Sequence, residues 1–164
     1  MKTLRLVLIL LTMLVIVVAC SDEKVNEEIS LPEGIPDFVQ KSDFEQINWE
    51  NKAVEFGDRG IIGNENKSGV IGADMPSLSQ QKWMWHLWDV PDNVEMTVVG
   101  FHRETKQVHQ ILSWPGWTIT MGGPNNGADA HAPSSVKIPE TGEWAVLLYI
   151  DGNLFDTLIY EINE

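Results

Sequence analysis

The sequence of 164 residues holds one cysteine, Cys20. An internal disulfide is therefore excluded. Basic residues are also scarce: 11 Lys and Arg face 24 Asp and Glu, a formal net charge of −13. Such a surface repels phosphate backbones, which argues against nucleic acid as a partner. It repels anionic lipid headgroups too, so the protein needs a separate attachment to stay at a membrane. Sustained helical periodicity is missing along the whole chain. The longest apolar run, Leu6 to Ala19, is shorter than the roughly 17 to 25 residues a membrane-spanning helix takes.

What that run does offer is a secretory signal. Lys2 and Arg5 make a basic start, Leu6 to Ala19 is interrupted only by Thr12, and Val17-Val18-Ala19-Cys20 closes it. Removing the two basic residues with the signal leaves nine basic groups against 24 acidic ones, a net of −15. The tetrapeptide resembles a bacterial lipobox. That resemblance implies cleavage after residue 19 and diacylation of Cys20, making membrane lipid the first expected partner. Two acyl chains give a stable anchor where one is marginal. The lone thiol is thereby consumed, which suits an otherwise cysteine-free chain in an oxidising compartment.

Residues 20–48 are expected to be the lipidated cysteine followed by a flexible, acidic linker and arm. Ser21 to Gly34 carries Glu23, Glu27, Glu28 and Glu33 and no periodic apolar pattern. Ile35 to Glu50 is apolar at irregular spacing, and this arm is expected to lie along the domain. Residues 49–164 then read as one all-β domain. Short strand candidates follow at Ala53–Phe56, Gly60–Gly63 and Gly69–Gly72, with Asn64–Ser68 as a turn. Lys82–Trp88 alternates Trp83, Trp85 and Leu87 against Met84, His86 and Trp88, and both faces are largely apolar, as in a central strand covered on two sides. Val94–Phe101 and Val108–Trp114 read as a strand and its return, Trp117–Met121 as a further short strand, and Ser134–Ile138 as another. Trp144–Ile150 and Leu154–Ile162 flank Asp151-Gly152, whose tight turn needs positive φ. Many short strands with Gly and Pro punctuation predict an antiparallel β-sandwich, with a barrel as the competing closure.

Two strings stand out beyond the strand pattern: Lys82-Trp83-Met84-Trp85-His86-Leu87-Trp88 and Asn125-Asn126-Gly127-Ala128-Asp129-Ala130-His131-Ala132-Pro133-Ser134. With Pro139-x-x-Gly142-x-Trp144 they resemble the YhfM-like lipoproteins of Gram-positive spore formers, a family without a known function. The resemblance covers residues 50–164 and the lipobox. It implies a lipid-anchored, immunoglobulin-like domain on the outer face of the membrane, and it implies no reaction.

Candidate site residues are weighed on their chemistry. Asp129 and His131 set a carboxylate and an imidazole two residues apart, the core of an alternative reading as an extracytoplasmic metal-binding protein or hydrolase. A transition-metal site takes three or four ligands, and neither HxxxH nor CxxC pairing is present. Calcium wants more carboxylates than Asp129 beside Asn125 and Asn126 supplies. Ser134 or Ser135 near His131 lacks the Gly-x-Ser-x-Gly turn of a nucleophile. No cofactor or catalytic group is called for. Asn125, Asn126 and Asp129 are expected to bond backbone amides and stiffen their loop. His86 is expected to be a buried, hydrogen-bonded histidine. Trp83, Trp85 and Trp144 are expected in the core, whereas Trp114 and Trp117, flanking Pro115-Gly116, are the tryptophans expected at the surface. The function expected is a binding or interaction module, not an enzyme, with a cell-envelope protein or wall ligand as partner.

Overall fold

A computed structural model describes residues 28–72 and 78–163. The signal sequence, Cys20 and the first half of the acidic spacer lie outside the described residues. No helix among those residues is long and apolar enough to cross a membrane.

The domain is an antiparallel β-sandwich. One sheet runs, in spatial order, β1 (Val54–Phe56), β2 (Ile61–Asn64), β3 (Ser68–Gly72), β4 (Gln81–Leu87), β9 (Ala130–Val136) and β7 (Leu112–Trp114). The other runs β11 (Asn153–Ile162), β10 (Gly142–Ile150), β5 (Glu95–His102) and β6 (Val108–His109), and β8 (Thr118–Thr120) pairs with β5. The strongest local signal, Asp151-Gly152, joins β10 and β11 as a two-residue turn. Its φ values of 46° and 82° fit the twist of the strands it connects.

Alternation along the strands creates two cores. Trp83, Trp85 and Leu87 of β4 face inward onto Trp144, Val146 and Leu148 of β10 and onto Met96 and Val98 of β5. Each such side chain contributes about 1.5–3 kcal/mol by leaving water. The alternate residues of β5 and β10 (Val99, Phe101, Ala145, Leu147 and Tyr149) point to the other side of their sheet. There they meet the N-terminal arm. Val39 and Phe44 of the arm are as buried as the core, and Phe44 lies 4.9 Å from Phe101, ring to ring. This double burial explains why β10 reads as a nearly unbroken apolar run.

The arm contains a short helix, α1 (Lys41–Glu45), that no periodicity announces. Five residues are too few to be helical alone. Packing of Phe44 holds the helix, and the Asp43 carboxylate fixes its start by accepting the Gln40 N–H at 2.9 Å. The same carboxylate accepts the Tyr149 hydroxyl at 2.9 Å, tying the arm to β10. Arg103 lies over the Trp49 ring, 5.0 Å from its centroid. A second tie joins the two sheets. Asp156 of β11 is buried and accepts bonds from Ser68 Oγ at 2.6 Å and Asn64 Nδ2 at 2.9 Å, both at the β2–β3 turn.

Two strand expectations need correction. Val108–Trp114 is not one strand. It crosses between the sheets, β6 in one and β7 in the other. Ile111 and Leu112 are successive yet both enter the core between the sheets, where a regular strand would send them to opposite faces, and the Ile111 carbonyl accepts the Lys137 N–H at 2.9 Å. The strand expected at Ser134–Ile138 begins earlier, at Ala130, so His131 belongs to β9 and not to a loop.

Candidate binding cleft and the Asn-Gly turn

Asn125 to Ala128 is a two-residue hairpin turn. Asn125 and Ala128 exchange both backbone hydrogen bonds, at 3.1 and 2.9 Å, with Asn126 and Gly127 at φ 51° and 82°. Asn and Gly are the residues that such a turn favours, because both central positions need positive φ. Gly122 and His131 close the hairpin behind it, again by two bonds, at 2.7 and 3.2 Å.

The turn folds over the end of β4. Trp88 Nε1 donates to the Gly127 carbonyl at 2.8 Å. Asn126 does not bond a backbone amide as expected; its Nδ2 donates to His86 Nε2 at 3.0 Å. The other ring nitrogen of His86 lies 3.1 Å from the Met84 carbonyl and acts as its donor. His86 is fully buried, as expected for a hydrogen-bonded histidine. Burial pushes its pKa down from 6.5; the Met84 carbonyl opposes this, and His131 adds to it. His86 and His131 are register partners on β4 and β9. The outer face of β4 is thus covered only at this end, since Lys82 at the other end is exposed.

Asp129 and His131 serve different partners. The Asp129 carboxylate accepts the Asp89 N–H at 2.8 Å, bracing a residue held at φ 56°. His131 Nδ1 donates to the Gly123 carbonyl at 2.6 Å. Ser134 Oγ accepts the Trp85 indole N–H at 2.7 Å. Asn125 contributes its backbone to the turn. Among the described residues, no three His, Cys, Asp or Glu side chains stand close enough to hold a metal ion. His102 and His109 pack elsewhere, against Trp144, at 4.9 and 5.3 Å between ring centroids.

The surface tryptophans divide. Trp114 is 77% exposed. Trp117 is instead half-buried, packed with the arm against the outer face of β5 and β10. The crossover between β7 and β8 puts Trp114 and Trp117 on different sides of the sandwich.

Beside Trp114 lies a cleft of about 480 Å³. Its walls are β8 of one sheet and β9 of the other, with Trp114, Pro115 and Lys82 among the residues lining it. The cleft exists because β9 lacks a neighbour along its middle. His131 is paired with Gly122 at one end, and Ser135 with Trp114 at the other. Pro133 stands between them. Residues 131, 133 and 135 direct their backbone groups to this outer edge by strand alternation, so the missing N–H of Pro133 falls where no ladder runs. Lys82 and Pro133 belong to the two strings that stand out in the sequence but are not among its candidate site residues, and Ser135 is weighed there only as a nucleophile. A proline inside a strand was the available signal, since proline belongs at edges.

The model of a family described as a domain of unknown function, DUF4871, matches residues 38–160. The chain belongs to this family. In this DUF4871 chain the matched span takes in the core strands, the Asn-Gly turn and the cleft. Comparison with curated proteins gives no match. A crystal structure of a protein described as a candidate lipoprotein from Bacillus anthracis is similar, with a TM-score of 0.61 and 18% identity. The similarity covers 78% of this chain and 96% of that one. At that identity it supports the sandwich fold and nothing finer.

Proposed function

We propose that this DUF4871 chain is a membrane-anchored, extracytoplasmic binding module, held through diacylated Cys20 as in the YhfM-like lipoproteins it resembles. Its ligand is a component of the cell envelope, taken up in the cleft between β8 and β9. The observation that carries this reading is Trp114: a large ring, 77% exposed, on the rim of a concavity of about 480 Å³. Small-ligand sites are commonly concave, largely apolar and of about 300–1,000 Å³. Tryptophan is among the residues that dominate binding energy where they are buried by a partner.

Placement supports the reading as well. The chain arriving from the anchor meets the sandwich at Ser30, which bridges to Gln107 beside the His102 end of β5. The β8 wall of the cleft pairs with the opposite end, Glu95 to Thr97. At roughly 3.3 Å per residue these lie about 20 Å apart, so the β8 wall stands away from the tethered end.

Two measurements test the proposal. Cys20→Ser should lose lipid labelling and run as an unprocessed precursor, whereas wild-type protein without a lipid-dependent mass would contradict the anchor. Detergent-solubilised full chain should show reduced acrylamide quenching of tryptophan emission when wall and membrane extract is added. That difference should vanish in Trp114→Phe; an equal change in both proteins would contradict the cleft.

A further inference from the structure

Lys82 and Trp114 share the rim of the cleft, and together they define a ligand chemistry. Lys41, Lys52, Lys67 and Arg103 each pair with a carboxylate. No carboxylate among the described residues pairs with Lys82, which is exposed and lines the cleft. Lys82 is the one charged residue among those lining the cleft, with the Glu95 carboxylate held behind Thr120, so in a chain of net charge −13 the cleft itself presents a cation to its ligand. Low-dielectric walls focus its field on a bound anion.

A peptide added as a strand is a poor fit. Strand addition takes an exposed row of N–H and C=O groups. Along the open stretch of β9 the groups of His131 are taken by Gly122, Ser135 is paired with Trp114, and Pro133 has no N–H. Only the Pro133 carbonyl remains, which cannot carry a ladder. What the cleft offers instead is a flat indole face, a cation, and the hydroxyls of Thr118, Thr120 and Ser135. The Thr118 hydroxyl already shares a hydrogen with Thr97 at 2.6 Å, and Thr120 Oγ1 donates to Glu95 at 2.6 Å. Both are thereby fixed in position while retaining a lone pair for a ligand hydroxyl.

We infer that the cleft binds a saccharide chain bearing carboxylates, with a sugar ring on Trp114 and an acidic substituent on Lys82. This rests on the reading of the cleft as the binding site and adds the ligand class to it. The apolar face of a pyranose matches the indole, its hydroxyls match the threonine and serine rim, and its carboxylate supplies a counter-charge for the Lys82 ammonium.

Calorimetric titration of the full chain in neutral detergent tests this with three probes: a uronic-acid oligosaccharide, a neutral oligosaccharide of matched length, and an extended acidic peptide. The acidic saccharide should bind, about threefold or more tighter than the neutral one at low salt, with the preference shrinking as salt is raised. Trp114→Ala should weaken both saccharides by about tenfold or more, and Trp114→Tyr should recover most of that. Lys82→Gln should abolish the preference for the acidic saccharide over the neutral one. Both side chains are exposed, so unchanged melting temperatures certify the variants.

Failure of the acidic saccharide to bind overturns the inference. Equal binding of acidic and neutral saccharides, indifferent to Lys82→Gln, overturns its anionic part. Binding of the peptide alone, lost in Trp114→Ala, overturns the ligand class while leaving the cleft as a binding site. Saccharide binding that Trp114→Ala does not weaken removes the cleft itself, and both readings fall.

Discussion

Acid should unseat the Asn-Gly turn through His86. The ring is fully buried and neutral, with one nitrogen donating to the Met84 carbonyl and the other accepting from Asn126. Its pKa is lowered by burial, so the unfolded chain takes up the proton first. The contribution of His86 to stability is therefore complete above about pH 6.5, the ordinary histidine value. It falls as pH drops toward the lowered folded value, by about 1.4 kcal/mol for each unit of separation. Asn126→Gly preserves the positive φ and removes only the side chain. It leaves a buried ring nitrogen unsatisfied and should cost about 1–3 kcal/mol near pH 7.5. Asn126→Asp tests the sign. A carboxylate at that position favours the charged ring, so the variant should lose less stability than wild type between about pH 7 and pH 5. Urea unfolding across that range gives the stabilities, and proton NMR of the imidazole Cε1–H gives the His86 titration directly. A wild-type His86 that titrates at or above 6.5, or an Asn126→Gly protein as stable as wild type, would refute the reasoning.

Three further outcomes follow from the packing. Trp144 is fully buried between the sheets, and Trp144→Ala should cost about 3–5 kcal/mol by chemical unfolding. Asp156→Ala orphans the buried Ser68 hydroxyl and should cost about 2–3 kcal/mol, whereas Asp129→Ala, at an exposed residue, should cost nearer 1 kcal/mol. Tyr149 and Tyr160 have pKa values pushed up by burial, with Asp43 and Asp156 respectively adding to the effect. The unfolded chain ionises first, so stability should hold to about pH 10 and fall above it, as followed by circular dichroism.

The legible parts of the sequence were those governed by one local rule. Period-two alternation placed Trp83 and Trp85 inside, and Trp144-Val146-Leu148 likewise. Positive-φ demand placed the Asp151-Gly152 turn. The parts that escaped depend on distant chain. Ile111 and Leu112 look like members of one strand until Lys137 claims the Ile111 carbonyl and the chain changes sheets. Trp114 and Trp117 look equivalent beside Pro115-Gly116, yet the crossover sends one to solvent and the other under the arm. Asn126 was legible as a turn former but not as the partner of His86, forty residues away. The cleft itself arises from a missing neighbour along β9, and only the sheet order reveals an absence of that kind.

The central claim, that the cleft between β8 and β9 is the working surface, is tested most directly by mapping. Backbone hydrogen exchange of the full chain should be measured in membranes, with and without host wall material, and read out peptide by peptide. The account predicts added protection in residues 112–120 and 132–135, lost in Trp114→Ala. Protection confined to the Asn125–His131 turn, or to the arm, with residues 112–120 unchanged, would contradict it.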